Sequence, residues 1–174
     1  GGRQVAEFLV AGGHQRIAHI AGWSGSSTGR DRALGFRQGL EGAGHEVFAE
    51  IDGMYQREVA QEAVRTLMAG AETPDAIFVG NDHMAFAVLD TLRSELGVSV
   101  PGEVSVVGYD DVPLAAWDAY SLTSVRQPVN RMVEATVETL LGQIADPDRP
   151  AQTLEIAGPL IVRTSARVPE GWKT

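Results

Sequence analysis

The sequence predicts an α/β fold of the doubly wound kind, a mostly parallel sheet with helices on both faces. Three observations carry this. Short apolar runs of strand length alternate with longer stretches whose apolar residues recur at helical spacing. The runs end on Gly or Asp-Gly, where a strand turns out of its sheet. Each of the first three runs is followed by a helical stretch, the crossover that parallel neighbours require.

The elements follow in order. Residues 3–11 carry Val5, Phe8 and Leu9 at helical spacing and stop at Gly12 and Gly13, a C-terminal helix signal. A strand over 16–21 (RIAHIA) ends in Gly22 and opens a Gly- and Ser-rich loop over 23–29. The helix over 30–43 has Leu34, Phe36 and Leu40 as its buried side, and a strand over 46–51 reaches the turn at Asp52 and Gly53. The unit repeats as helix 57–69, strand 75–79, helix 82–96 and strand 104–108. After 122–126 comes a last helix over 128–144 with Pro128 in its first turn, where a missing N–H costs nothing. Two short strands, 152–157 and 160–163, end the chain, and 146–150 (DPDRP) is its only linker-like stretch.

Bulk composition narrows the function. At 174 residues and 44% hydrophobic, the chain has the size and apolar content of about one globular domain. No apolar run reaches the roughly 18 to 20 residues of a bilayer span, so no membrane role is expected. The absence of cysteine excludes disulfides and thiolate catalysis, and no secretory pattern opens the chain, which together fit a cytoplasmic protein. The net charge is −9, and Lys173 is the one lysine. So acidic a surface repels phosphate backbones, and this chain is not expected to bind DNA itself.

Ligands of open parallel sheets sit beyond the carboxyl ends of the strands. After the first strand, Arg30 and Arg32 lie at the start of a helix, where the dipole favours anions; a ligand or carboxylate partner, or for Arg30 plain solvent, explains them. After the second, Tyr55 either stacks on a ligand or packs under its own loop. After the third, Asp82 reads as the helix N-cap, and Asn81 offers donor and acceptor to the crevice. After the fourth, Asp110 and Asp111 are adjacent, so their side chains point apart; one serves as ligand acceptor and one as a structural group. A guanidinium, an aromatic ring, an amide and a carboxylate suit the hydroxyls of a sugar or polyol. No nucleophile has a base beside it. His14, His19, His45 and His83 lack metal-ligand spacing, and GWSGSSTG matches neither phosphate-binding glycine motif, so no catalytic residue, metal or cofactor is expected.

Six segments in this order resemble the lactose/galactose-repressor (LacI/GalR) family of transcriptional regulators: GGHQRIAHIAG, RDRALGFRQGL, PDAIFVGNDHMAFAVLDTL, VPGEVSVVGYDDVPLA, LTSVRQP and LIVRTSA. The resemblance implies an incomplete periplasmic-binding-protein-like fold of type I. It implies residues 1–126 as the C-terminal effector-binding subdomain, 127–157 as a helix and strand returning to the N-terminal subdomain, and 158–174 as last strand and tail. By motif position it places effector contacts on Arg32, Asn81, Asp110 and the aromatic Tyr55, with Gln127 near the crevice floor. Trp117 is added because the loop after GYDD can reach the rim. The implied partners are a small-molecule effector, a second copy in a homodimer, and DNA only through a helix-turn-helix outside this sequence. A periplasmic sugar-binding protein serving a transporter is the alternative on the same architecture. The apolar stripe of the last helix predicts self-association.

Overall fold

The computed structural model describes residues 1–172. Its elements alternate as α1 (Gly2–Ala11), β1 (Ile17–Ala21), α2 (Ser27–Gly42), β2 (Ala49–Asp52), α3 (Arg57–Met68), β3 (Ala76–Val79), α4 (Asp82–Asp90), β4 (Ser105–Asp110), β5 (Thr123–Arg126), α5 (Val129–Ala145) and β6 (Leu160–Ile161). A π-helical turn, Thr91–Glu95, prolongs α4, and a 3₁₀ turn, Pro113–Ala116, lies between β4 and β5.

The strands form one sheet in the order β2-β1-β3-β4-β5-β6. All neighbours are parallel except β5 and β6, which run antiparallel. The order of the first five strands is the flavodoxin-like one, and it reverses between β1 and β3. The connections leaving those two strands therefore turn to opposite faces of the sheet, α2 to one and α4 to the other, the setting in which a crevice forms at the carboxyl edge.

Alternation along the strands supplies two cores, one per face. Ala18, Ile20, Ile77, Val79 and Val106 face α3 and α4, where they meet Val64, Leu67, Met84, Val88 and Leu89. Ile17, Ala76, Phe78, Val107 and Val125 face α1 and α2, where they meet Val5, Phe8, Leu9, Phe36 and Leu40. His19 belongs to this second face: its ring is buried, stacked on Phe78 with centroids 4.8 Å apart, and its Nδ1 lies 3.2 Å from Glu50.

The structure corrects four details. Residues 152–157 form no strand: β6 takes the free edge of β5 and closes the sheet, so that segment has no neighbour to pair with. Leu34 is 51% exposed, because α2 turns Phe36 and Leu40 inward and leaves Leu34 lining a surface groove of about 510 Å³. The helix begun at Asp82 changes to π winding at Thr91, whose hydroxyl bonds back to the Ala87 carbonyl. The fourth strand runs on to Asp110, two residues beyond its expected end at 108, through pairing with β5.

Candidate effector site

Arg32 stands in the second turn of α2, whose start is fixed by Ser26: its hydroxyl accepts from the Gly29 amide at 3.0 Å. From there the guanidinium crosses the carboxyl edge of the sheet. One nitrogen donates to the Gly80 carbonyl at 2.6 Å, another to Asp110 Oδ1 at 3.1 Å, and the group lies 3.8 Å from the centroid of the Tyr109 ring. Gln127, just past β5, donates its amide to the same Asp110 oxygen at 2.5 Å. Arg32, Asp110 and Gln127, expected from three separate motifs, are thus one hydrogen-bonded group. Its pair of opposite charges is 13% and 24% exposed, a partly desolvated setting in which hydrogen bonds to charge are strong.

The backbone at this point is unusual. Asp110 and Asp111 have φ of 115° and 52°, a left-handed stretch that non-glycine residues rarely adopt. The kink aims the two neighbouring carboxylates at different partners. Asp110 faces Arg32 and Gln127, whereas Asp111, 2% exposed, is held by Arg126 at 2.6 Å and Arg163 at 2.7 Å. Asp111 is thus a structural carboxylate, and Asp110 lies with Arg32 and Gln127 at the carboxyl edge.

The N-cap falls on Asn81 and not on Asp82. Asn81 is the N-cap of α4, its side-chain oxygen accepting from the Met84 amide at 3.0 Å. Asp82 is buried and accepts from Ser124 and from the Val112 amide. Burial, and secondarily the negative charges of Asp110 and Asp111, raise its pKa to about 6 against the hydrogen bonds that favour its ionised form. Asn81 still lies beside the crevice, because Gly80 next to it closes on β1: a side chain at Gly80 would meet the Gly22 amide at 2.6 Å.

Tyr55 sits at the carboxyl end of β2 with φ of 57°, its ring against Gly22 and partly packed on the core. Among the described residues its buried hydroxyl has no hydrogen-bond partner. Trp117 is 63% exposed beyond the 3₁₀ turn and joins none of these contacts. Arg30 is exposed; it donates to the Ser24 carbonyl and braces its own loop.

Tyr109, Ser124 and Arg163 escaped the sequence reading. Tyr109 had a signal, its position inside GYDD next to the expected acceptor. The others act across the fold: Asp82 and Ser124 are 42 residues apart.

Residues 6–166 match the model of the periplasmic binding protein-like domain. The chain belongs to that family, in the branch that LacI/GalR regulators use for effector binding. It is 34% identical over 169 residues to the HTH-type transcriptional repressor PurR of Photobacterium profundum, covering 96% of this chain and 50% of that one. A CelR transcriptional regulator in complex with cellobiose superposes with a TM-score of 0.86 at 35% identity, covering 95% of this chain and 51% of the other. The lac repressor dimer bound to operator and an anti-inducer gives 0.88 at 28% identity, covering 95% and 57%. The chain therefore spans about half the length of the curated relatives it matches.

Proposed function

We propose that the chain is the effector-sensing part of a cytoplasmic, dimeric LacI/GalR-type transcriptional regulator, and that it takes a sugar or related polyhydroxylated molecule. One observation carries the reading: Arg32 and Gln127 both converge on Asp110 Oδ1, which leaves Oδ2 to accept a ligand hydroxyl at the crevice where the strand order reverses. The same carboxyl edge carries Asn81 past the end of β3 and Tyr55 past the end of β2. A carboxylate already tied to a guanidinium and an amide is suited to hold a hydroxyl in place and poorly suited to act as a base. That favours binding over catalysis. The repressors among the relatives favour a regulator over a transport receptor.

In this reading the ligand works by shifting a population. Its hydroxyls bind Asp110, Arg32 and Asn81 on this subdomain and further groups on a second one, and stabilise one closure angle of the pair. Closure then changes how DNA-binding heads are held.

Calorimetric titration with D-ribose, cellobiose, D-ribose 5-phosphate and adenosine tests this. We expect one of these classes to bind, and Asp110→Ala or Arg32→Ala to weaken it by about 10- to 100-fold, the loss of a hydrogen bond to charge of about 1.5–3 kcal/mol. Affinity unchanged in both variants, or no binding by any class, overturns the reading.

A further inference from the structure

Three carboxylates crowd the end of β4, and they are held differently. Asp110 has Arg32, and Asp111 has Arg126 and Arg163. Asp82 is fully buried and forms no ion pair among the described residues. Its partners are neutral donors: the Ser124 hydroxyl reaches Oδ1 at 2.6 Å and the Val112 amide reaches Oδ2 at 2.9 Å. Ser124 is used twice, since its oxygen also accepts from the Asp111 amide at 3.1 Å. One carboxylate therefore secures both amides that follow Asp110, one directly and one through a hydroxyl. The absence of a side chain at Gly108 makes room for it, because a Cβ there would run into Oδ1. The segment secured in this way is the left-handed one, φ of 115° at Asp110 and 52° at Asp111.

We infer that Asp82 is the positioning residue of the effector site: through Ser124 and the Val112 amide it holds the left-handed turn that aims the Asp110 carboxylate at Arg32 and Gln127. This rests on Asp110 as the effector acceptor. Only the ionised carboxylate accepts both bonds without competition, because a proton on either oxygen turns an acceptor into a donor. With burial as the largest cause, Asp82 titrates at about 6, so the turn is held most firmly above that pH and loosens as pH falls through it. The charged groups around it are Asp110 and Asp111, each facing the arginines already named.

The test uses nuclear magnetic resonance on the isotopically labelled chain with no ligand added. The readouts are the Arg32 guanidinium signals, the Asp82 carboxyl carbon, and exchange of the Asp111 and Val112 amides. In the unmodified chain the Arg32 signals should move with the same midpoint as the Asp82 carboxyl. Ser124→Ala should speed exchange of the Asp111 amide about tenfold as its acceptor is lost. Asp82→Asn, which keeps the shape, should abolish the pH-dependent movement at Arg32. Arg32 signals with the original position and pH profile in both variants overturn the proposal, and if Asp82→Asn does not fold, Ser124→Ala decides on the same criterion. Since no ligand enters, failure here leaves the effector reading standing, and failure of every sugar to bind leaves this result intact.

Discussion

Helices α4 and α5 are both rich in apolar residues, and the fold uses them in opposite ways. Of the nine residues of α4, seven are buried, and Met84, Ala85, Phe86, Val88 and Leu89 among them join the core shared with the sheet and α3. Of the seventeen in α5, none is buried. Its apolar stripe of Val129, Met132, Val133, Val137, Leu140, Leu141 and Ile144 stays exposed, from 41% at Met132 to 75% at Ile144. Part of it, with Gln127 and Thr136, lines a groove of about 380 Å³. Helical spacing of apolar residues establishes that a helix has a face to cover; only tertiary structure says what covers it. We propose that α5 and the segment after it belong to a second subdomain, with residues 1–126 as the effector-binding one.

The largest test of this contrast is a pair of leucines. Leu89 is fully buried on α4, and Leu89→Ala should destabilise the chain by about 3–4 kcal/mol, the transfer loss plus the cavity. Leu141 is 62% exposed on α5, and Leu141→Ala should change stability by no more than about 0.5 kcal/mol. Urea unfolding measures both, and comparable losses would show that α5 is packed in solution.

A second contrast, somewhat smaller, separates two carboxylates. Burial raises Asp82 from 3.8 to about 6, so the folded state binds its proton more tightly than the unfolded chain does. Its contribution is fully present below about pH 4 and is lost as pH rises through 6, a change of about 3 kcal/mol. Glu50 goes the other way. Hydrogen bonds from His19 and Arg37 lower it to about 2, so its contribution is present above its ordinary 4.5 and is lost as pH falls through about 2. His14 and His19, held neutral chiefly by burial, add stability above about 6.5, so the Asp82 effect is read as a difference. Between about pH 4 and pH 6, Asp82→Asn should gain stability relative to the unmodified chain as pH rises, whereas Glu50→Gln should be less stable than the unmodified chain by a constant amount above about 4.5 and lose that deficit as pH falls towards about 2. Parallel stability curves for the unmodified chain and Asp82→Asn across that window would remove Asp82 as a strained acid.

What the sequence made legible divides along similar lines. The strands could be read because their apolar runs end at glycine, and Asp110 could be placed at the sheet's carboxyl edge because it follows Gly108, although the strand runs two residues past that glycine. The cap was expected one residue late, on Asp82 and not on Asn81, because both are good capping residues at consecutive positions; the choice depends on Ser124 and Val112, which lie far along the chain. Residues 152–157 alternate as an edge strand does, yet pairing needs an open neighbour, and β6 already occupies it. Trp117 was placed by loop reach alone, which constrains a side chain too little to predict a contact.

The smallest expected change in stability accompanies a large change in association. If the α5 stripe is a surface for another body, the isolated chain should cover it with a second copy, since apolar area contributes about 25 cal/mol per Å² when removed from water. Sedimentation should show concentration-dependent association at micromolar levels. Leu140→Glu with Ile144→Glu places two charges on residues 57% and 75% exposed, so it should yield a monomer while unfolding within about 0.5 kcal/mol of the unmodified chain. Two alternative outcomes discriminate. Loss of stability along with association would mean that the stripe packs inside its own chain, and a monomer before any substitution would mean that exposure at α5 is tolerated without a partner. Only dissociation with the fold intact supports an interface on that helix, which begins two residues after Gln127 and so adjoins the Asp110 site.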